Sequence, residues 1–345
     1  MSQLTIASWV VGVIVVPINI WIWSVAFRRV ARGEHAIDLQ PRWLVPWGLV
    51  DVIGAIVVSI FFGPVAIKIL ESVTDYDSQT LLLEQPLKLQ LAALFALSCG
   101  SLLAGICTVV VIRIRVGAEL SDFGLPSSWK EIRQDLIIGV IGFFALVVPV
   151  LTIQFALNWA WDTETKHPIV MALKENPDQV DALFWGVIIW VAVIVAPVFE
   201  ELLIRVIFQG WLENIASGKL NEFEILSGLH ARFRKEPVPD LPSFDDELAE
   251  ISEHENEPAT HQYHEPKLIK TWPIFCSSLL FAMLHWNHGP DPYPLFVLAV
   301  GLGYIYHTTH RILPCIVVHM MINLTSVAGM YLAHTFGEIA PKVAS

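Results

Sequence analysis

Charged residues are scarce in this chain, and long stretches contain almost none. Asp, Glu, Lys and Arg make up 16% of the 345 residues, whereas 54% of the residues are hydrophobic. A soluble protein of this length has roughly 25% charged residues. The low charge content therefore excludes a water-soluble globular domain and indicates a polytopic membrane protein.

The net charge, the N-terminal residues and the cysteine spacing each argue against a class of protein or site. Its formal net charge of -12 argues against nucleic acid as a partner, because a nucleic-acid-binding protein needs a basic patch. The N-terminus has no basic region and no small-residue cleavage site, so we expect the first apolar run to be a retained membrane helix. The cysteines lie in apolar runs without metal-type spacing, and we expect all of them to be buried small hydrophobic residues. They are Cys99, Cys107, Cys276 and Cys315.

Eight apolar runs are predicted to be membrane-spanning helices, because about 20 apolar residues are needed to cross a bilayer. They cover approximately residues 4–27, 44–70, 89–112, 136–159, 183–211, 272–286, 293–307 and 312–334. The sixth and seventh runs are short, which is typical of tilted or partly buried helices. The predicted fold class is all-α, a polytopic transmembrane bundle of about eight spans. We divide it into an N-terminal four-helix region (1–180), a core (181–335) and a short tail (336–345).

A hydrophilic insertion interrupts the core at residues 217–270, between the fifth and sixth spans. From Glu236 to Glu265 it contains ten acidic residues, four prolines and no Lys or Arg, a composition with too little apolar surface to form a core. We interpret its histidines as part of a solvated linker and not as a metal site. Basic residues cluster in the loops after the first, third, fifth and seventh spans, which predicts that these loops, including the acidic insertion, are cytoplasmic.

Two adjacent carboxylates and an arginine lie in the fifth apolar run. Ionisable groups within a membrane segment are costly and indicate a functional site. Glu201 and Arg205 are four residues apart and are predicted to pair on one helix face. Glu200 is turned away from Glu201 by roughly 100°, which leaves its carboxylate free to face another partner.

Two further polar pairs lie in later apolar runs, and together with the carboxylates they suit hydrolysis. Phe281 precedes His285 by four residues, and His319 precedes Asn323 by four. A glutamate and a histidine can deprotonate a water molecule. A second histidine and an amide can donate hydrogen bonds to the oxyanion that forms at a peptide carbonyl. There is no G-x-S-x-G nucleophile motif. Cys276, Ser277 and Ser278 shortly before His285 leave a covalent mechanism open as the less favoured alternative.

The three motifs read E-E-x-x-x-R, F-x-x-x-H and H-x-x-x-N in chain order. This set resembles the signature of the CPBP family (CAAX protease and bacteriocin-processing, also called Abi) of intramembrane proteases, which includes the type II CAAX prenyl proteases. The resemblance covers roughly residues 182–332. The family commonly has Phe before the arginine and Gly after it, where this chain has Ile204 and Val206.

The resemblance implies an intramembrane endopeptidase that acts on a membrane-associated or lipidated protein, with a CAAX-type substrate as one option. It implies that Glu200 and His285 activate water and that His319 and Asn323 form the oxyanion site. The supporting residues that it implies are Glu201, Arg205 and Phe281. We expect a multi-pass protein of the plasma or inner membrane, and the basic residues that flank the spans predict an active site towards the cytoplasm.

The family has been described both as glutamate proteases and as metalloproteases. We favour a reaction without a metal cofactor, because no H-E-x-x-H sequence is present. If zinc is bound, the resemblance points to Glu200, His285 and His319 as ligands, which leaves one position open for water. The alternative function is a non-proteolytic immunity or scaffold protein of the same fold. A transporter is disfavoured because no repeated halves are visible.

Overall fold

The computed structural model describes residues 3–40, 44–161, 168–229, 267–286 and 289–336, and every regular element in these ranges is helical. The first four long helices are α1 (Gln3–Ala31), α2 (Leu49–Val73), α3 (Leu87–Val116) and α4 (Trp129–Trp161). They are followed by α5 (Pro168–Glu175), α6 (Ala182–Ser217), α7 (Glu222–Ser227), α8 (Lys267–Leu284), α9 (Pro292–Thr309) and α10 (Ile312–Thr335). The predicted all-α class is confirmed for this part of the chain.

Within the described residues, six helices are long and apolar enough to cross a membrane: α1, α2, α3, α4, α6 and α10. Large apolar side chains such as Ile60, Ile114 and Phe155 are exposed on their outer faces, where a bilayer would solvate them. These features indicate a multi-pass membrane protein. Helices α8 and α9 correspond to the short sixth and seventh runs, and the total of eight spans stays a prediction.

The predicted acidic insertion lies mostly outside the described residues. The structure describes its start as far as Leu229, and it describes the chain again from Lys267. The histidines of the insertion and the tail after Phe336 lie outside the described ranges. The cytoplasmic location of the insertion is therefore still a prediction.

The second span begins later than predicted. Residues 44–48 precede α2, and Val45 and Trp47 are buried against the end of α6. The amide of Val45 donates to Asn214 Oδ1 (3.0 Å), Asn214 Nδ2 donates to the Val45 carbonyl (2.8 Å), and Trp47 Nε1 donates to the carbonyl of Ile207 (3.1 Å). The predicted start at residue 44 was wrong because an apolar run has the same composition whether it is buried in protein or in lipid.

Asn214 is expected to anchor this segment. Its replacement by Ala leaves the amide and the carbonyl of Val45 without their side-chain partner, a loss of about 1–3 kcal/mol of unfolding free energy for buried polar groups. Thermal unfolding of the detergent-solubilised protein measures the effect. Asn158→Ala is the control, because its amide oxygen accepts from Gln154 within the same helix. Equal melting temperatures for the two variants would contradict the anchoring role.

One hydrophobic core joins the N-terminal helices to the C-terminal ones. It contains residues from α2, α3, α4, α6, α9 and α10, with Leu146 of α4 packed among residues of α9 and α10. The close approach of α4 to α10 requires glycine, because a Cβ at Gly139 would lie 2.6 Å from Cβ of Val317. Helices α6 and α10, which carry two of the polar motifs, thus share one core with α2, α3 and α4.

All four cysteines are free thiols, and only Cys315 is buried. Cys99 and Cys107 are half-buried, and Cys276 is exposed on α8. The expectation that all four are buried was therefore correct for one residue. Lipid solvates an apolar side chain as well as a protein core does, so hydropathy alone does not distinguish the two locations.

Candidate active site

The two carboxylates lie on a short α-helical stretch between two π-helical segments of α6. The stretch is Ala196–Glu201, and the π segments are Ile189–Val195 and Leu202–Gln209. Pro197 has no N–H, so it cannot donate a hydrogen bond to a carbonyl of the π segment that precedes it. Short π segments inside α-helices are frequent at functional sites. This local geometry sets the direction of the Glu200 and Glu201 side chains.

Glu201 is the centre of a buried polar cluster. Its Oε2 accepts a hydrogen bond from Arg205 Nε (3.1 Å), the pairing that the four-residue spacing predicts. Its Oε1 lies 2.8 Å from Nδ1 of His319 on α10. An ionised carboxylate only accepts hydrogen bonds, so we assign the hydrogen of this contact to Nδ1 of His319. Glu201 therefore fixes the ring of His319 with Nε2 on the opposite side.

Glu200 is placed differently from its neighbour. Its side chain is 29% exposed, whereas the side chain of Glu201 is 0% exposed. Oε2 of Glu200 lies 3.8 Å from Nε2 of His319, which is too long for a direct hydrogen bond. The carboxylate of Glu200 is thus partly exposed and lies beside His319.

Phe281 is the packing surface for three of the polar side chains. Its ring is buried and lies 5.0 Å from the ring of His285 and 5.7 Å from the ring of His319. The guanidinium carbon of Arg205 lies 5.5 Å from the centre of the same ring, a cation–π distance. His285 also directs Nδ1 to the carbonyl of Phe281 (2.9 Å), which leaves Nε2 on the other side of its ring.

Asn323 lies one helical turn from His319 on α10, as the spacing predicts. Its Nδ2 donates to the carbonyl of Ala192 (2.8 Å), which belongs to the first π segment of α6. One of its two amide hydrogens is thus engaged in holding α10 against α6. The role of Asn323 as a hydrogen-bond donor to an oxyanion stays a prediction.

The sequence interpretation missed three residues that extend this cluster, Gln209, Glu213 and His307, and it named Ser277 only as a nucleophile candidate. Nη1 of Arg205 lies 3.2 Å from Ser277 Oγ, and that hydroxyl lies 3.0 Å from Gln209 Oε1. Nε2 of Gln209 donates to Glu213 (3.1 Å), which also contacts Nδ1 of His307 (2.9 Å). One signal was present in the sequence, since Glu201, Arg205, Gln209 and Glu213 recur every fourth residue within an apolar helix.

The hydroxyl of Ser277 is fully buried and engaged in this cluster, which argues against a covalent mechanism through this serine. In the part of the chain that the structure describes, no group of three His, Cys, Asp or Glu side chains is arranged to hold a metal ion. We assign no reaction step to a metal, and the zinc alternative stays a prediction for metal analysis.

Carboxylates and histidines inside a bundle of apolar helices indicate a functional site. Residues 258–325 match the family model for type II CAAX prenyl endopeptidase Rce1-like, a family of proteases. The match covers about a fifth of the chain and includes Phe281, His285, His319 and Asn323, whereas Glu200 precedes it. The family resemblance inferred from the motifs is confirmed over this segment. No match is found among curated proteins or among solved structures.

Proposed function

We propose that this protein is an intramembrane endopeptidase that hydrolyses a peptide bond of a membrane-associated or lipidated protein. The observation that carries the proposal is the accessible Glu200 beside His319, whose ring is fixed by the buried Glu201–Arg205 pair. The family name points to substrates with a C-terminal C-a-a-X sequence, in which the cysteine carries a prenyl group. This is the first substrate class to test.

In the proposed reaction, Glu200 and His285 hold a water molecule, Glu200 takes one of its protons, and the water oxygen adds to the peptide carbonyl. The carbonyl electrons move to the oxygen, and the resulting oxyanion accepts hydrogen bonds from His319 and Asn323. The tetrahedral intermediate then collapses, the C–N bond breaks, and the leaving amine receives the proton from Glu200. One donor to an oxyanion contributes about 2.7–4 kcal/mol to such a barrier.

His319 must be an imidazolium to serve as this donor. Nδ1 already gives its hydrogen to Glu201, so Nε2 donates only when the ring carries two protons. The charge balance favours that state, because Arg205 and an imidazolium together neutralise Glu200 and Glu201. With a neutral ring, the site would have one uncompensated negative charge next to apolar helices, which is costly.

The proposed location of the site is towards the cytoplasmic side of the plasma or inner membrane. This orientation is supported by the basic residues at the ends of α1 and α3, namely Arg28, Arg29, Arg113 and Arg115. Basic residues near span ends favour the cytoplasmic side. Accessibility of single cysteines introduced at these ends would test the orientation.

Comparison of membrane proteomes tests the function directly. Cells that express the wild-type protein are expected to contain shortened C-terminal peptides of a few membrane-associated proteins, and cells that express Glu200→Gln are expected to retain the full-length forms. The candidate substrates are then offered to the purified protein in lipid nanodiscs. Identical terminal peptides in the two membranes, together with no cleavage of a prenylated C-a-a-X peptide, would refute the proposal.

Metal removal is expected to leave cleavage unchanged, because the proposed water activation uses only Glu200 and His285. The test is dialysis of the purified protein against a chelator, followed by metal analysis and cleavage of the prenylated peptide. A zinc protease treated in parallel shows that the dialysis is effective. Loss of cleavage that zinc restores would replace this mechanism with the zinc alternative.

A further inference from the structure

We propose that Ser277 is a positioning residue for the candidate active site, and that it acts through Arg205 and Glu201 on His319. This inference rests on the proposed function and deepens it. Ser277 is fully buried on α8, whereas Glu201 and Arg205 are on α6 and His319 is on α10. The serine therefore connects a third helix to the charge pair behind the site.

The hydrogen-bonding capacity of the hydroxyl determines the direction of each bond. Oγ of Ser277 lies 3.2 Å from Arg205 Nη1, 3.0 Å from Gln209 Oε1 and 3.0 Å from the carbonyl of Ile274. A serine hydroxyl has one hydrogen and two lone pairs, and an arginine only donates. Oγ therefore accepts from Arg205, and its own hydrogen is left for Gln209 or Ile274.

Gln209 holds the serine from the other side and cannot flip its amide at low cost. Its Nε2 donates to the carboxylate of Glu213 (3.1 Å) and to the carbonyl of Gly303 (2.9 Å), both of which are acceptors. Its Oε1 must therefore face Ser277. The approach of α9 depends on the missing side chain at Gly303, where a Cβ would lie 3.1 Å from Gln209 Oε1.

Arg205 is consequently held at two points of its guanidinium, by Glu201 at Nε and by Ser277 at Nη1. The planar guanidinium has a fixed fork geometry, so loss of one point allows it to rotate about the other. Rotation would move Glu201, and Glu201 fixes the ring of His319 through the 2.8 Å contact. Arg205 stays charged in proteins, so this chain of contacts transmits position and does not conduct protons.

The chain provides a closely matched control at the next residue. Ser278 is also fully buried, and its hydroxyl donates to the carbonyl of Ile274 (2.6 Å), the same acceptor that Ser277 can use. The contacts to Arg205 and Gln209 belong to Ser277. Ser277→Ala and Ser278→Ala thus remove the same atom at neighbouring buried positions, and they differ in the connection to Arg205.

The experiment uses the full chain in lipid nanodiscs with ¹⁵N-labelled histidine. The ring nitrogen signals of His319 are identified by their absence in His319→Gln. We expect Ser277→Ala to shift these signals and to lower kcat for a prenylated C-a-a-X peptide about tenfold or more, with KM nearly unchanged. Ser278→Ala is expected to leave the signals and kcat as in the wild type.

Unchanged His319 signals in Ser277→Ala, or equal effects of the two serine substitutions, would overturn the inference. If the wild-type protein does not cleave the peptide, the proposed function fails in that assay, whereas the histidine signals still decide the positioning role.

If Ser277→Ala does not fold, Gln209→Met is compared with Gln90→Met. Gln90 is a buried glutamine of α3 that donates to the backbone carbonyls of Leu83 and Gln85. A shift of the His319 signals is expected for Gln209→Met alone.

Discussion

Replacement of Glu200 by Gln is expected to lower kcat by about 10²- to 10⁴-fold, the range for loss of a general base. Glutamine has nearly the same shape as glutamate and cannot take a proton from water. The fold should be retained, because Glu200 is partly exposed and its contact with His319 is 3.8 Å long. The change therefore removes the chemistry of the carboxylate without removing a close structural contact.

The rate is measured with the prenylated C-a-a-X peptide, and the melting temperature is measured on the same preparations. Glu222→Gln is the control, since Glu222 is exposed on α7 and lies outside the site. We expect wild-type melting for both variants and a loss of cleavage for Glu200→Gln only. The loss should recur in His285→Ala, and retained cleavage in Glu200→Gln and His285→Ala would show that neither residue activates water.

Replacement of Glu201 by Leu is expected to destabilise the protein by about 3–5 kcal/mol, the usual cost of removing one partner of a buried ion pair. The side chains of Glu201 and Arg205 are both fully buried, so the substitution would leave the charge of Arg205 without its partner. His319 would lose the acceptor of its Nδ1 hydrogen at the same time. The two neighbouring glutamates thus differ in their expected effects. Substitution of Glu200 lowers the rate of cleavage, whereas substitution of Glu201 lowers the stability of the fold.

Unfolding in detergent micelles measures the stability of Glu201→Leu, of Arg205→Leu and of the double variant. The double variant should be less destabilised than the sum of the single ones, because it leaves neither charge unpaired. Lys68→Ala serves as the surface control, since Lys68 pairs with Glu71 and is largely exposed. A loss for Glu201→Leu no larger than that for Lys68→Ala would refute the structural role of the buried pair.

The sequence by itself determined the helical class and the polar positions. In lipid every backbone polar group must be satisfied within the chain, so long apolar runs can only form helices, and the rare charges among them become conspicuous. The spacing also predicted the pairing of Glu201 with Arg205, which depends on helix geometry alone. The start of the second span at Leu49 was not predictable in this way, because residues 44–48 are as apolar as a lipid-facing segment.

The tertiary structure alone decided which polar groups of different helices meet. Glu201 and His319 are 118 residues apart in the chain, and their 2.8 Å contact depends on the packing of α10 against α6. Ser277, which the sequence suggested only as a minor nucleophile candidate, became a buried partner of Arg205 through the packing of α8 against α6. The physical reason is that periodicity fixes which residues share a face of one helix, whereas contacts between helices depend on their crossing angles and on π segments that change a helix's direction.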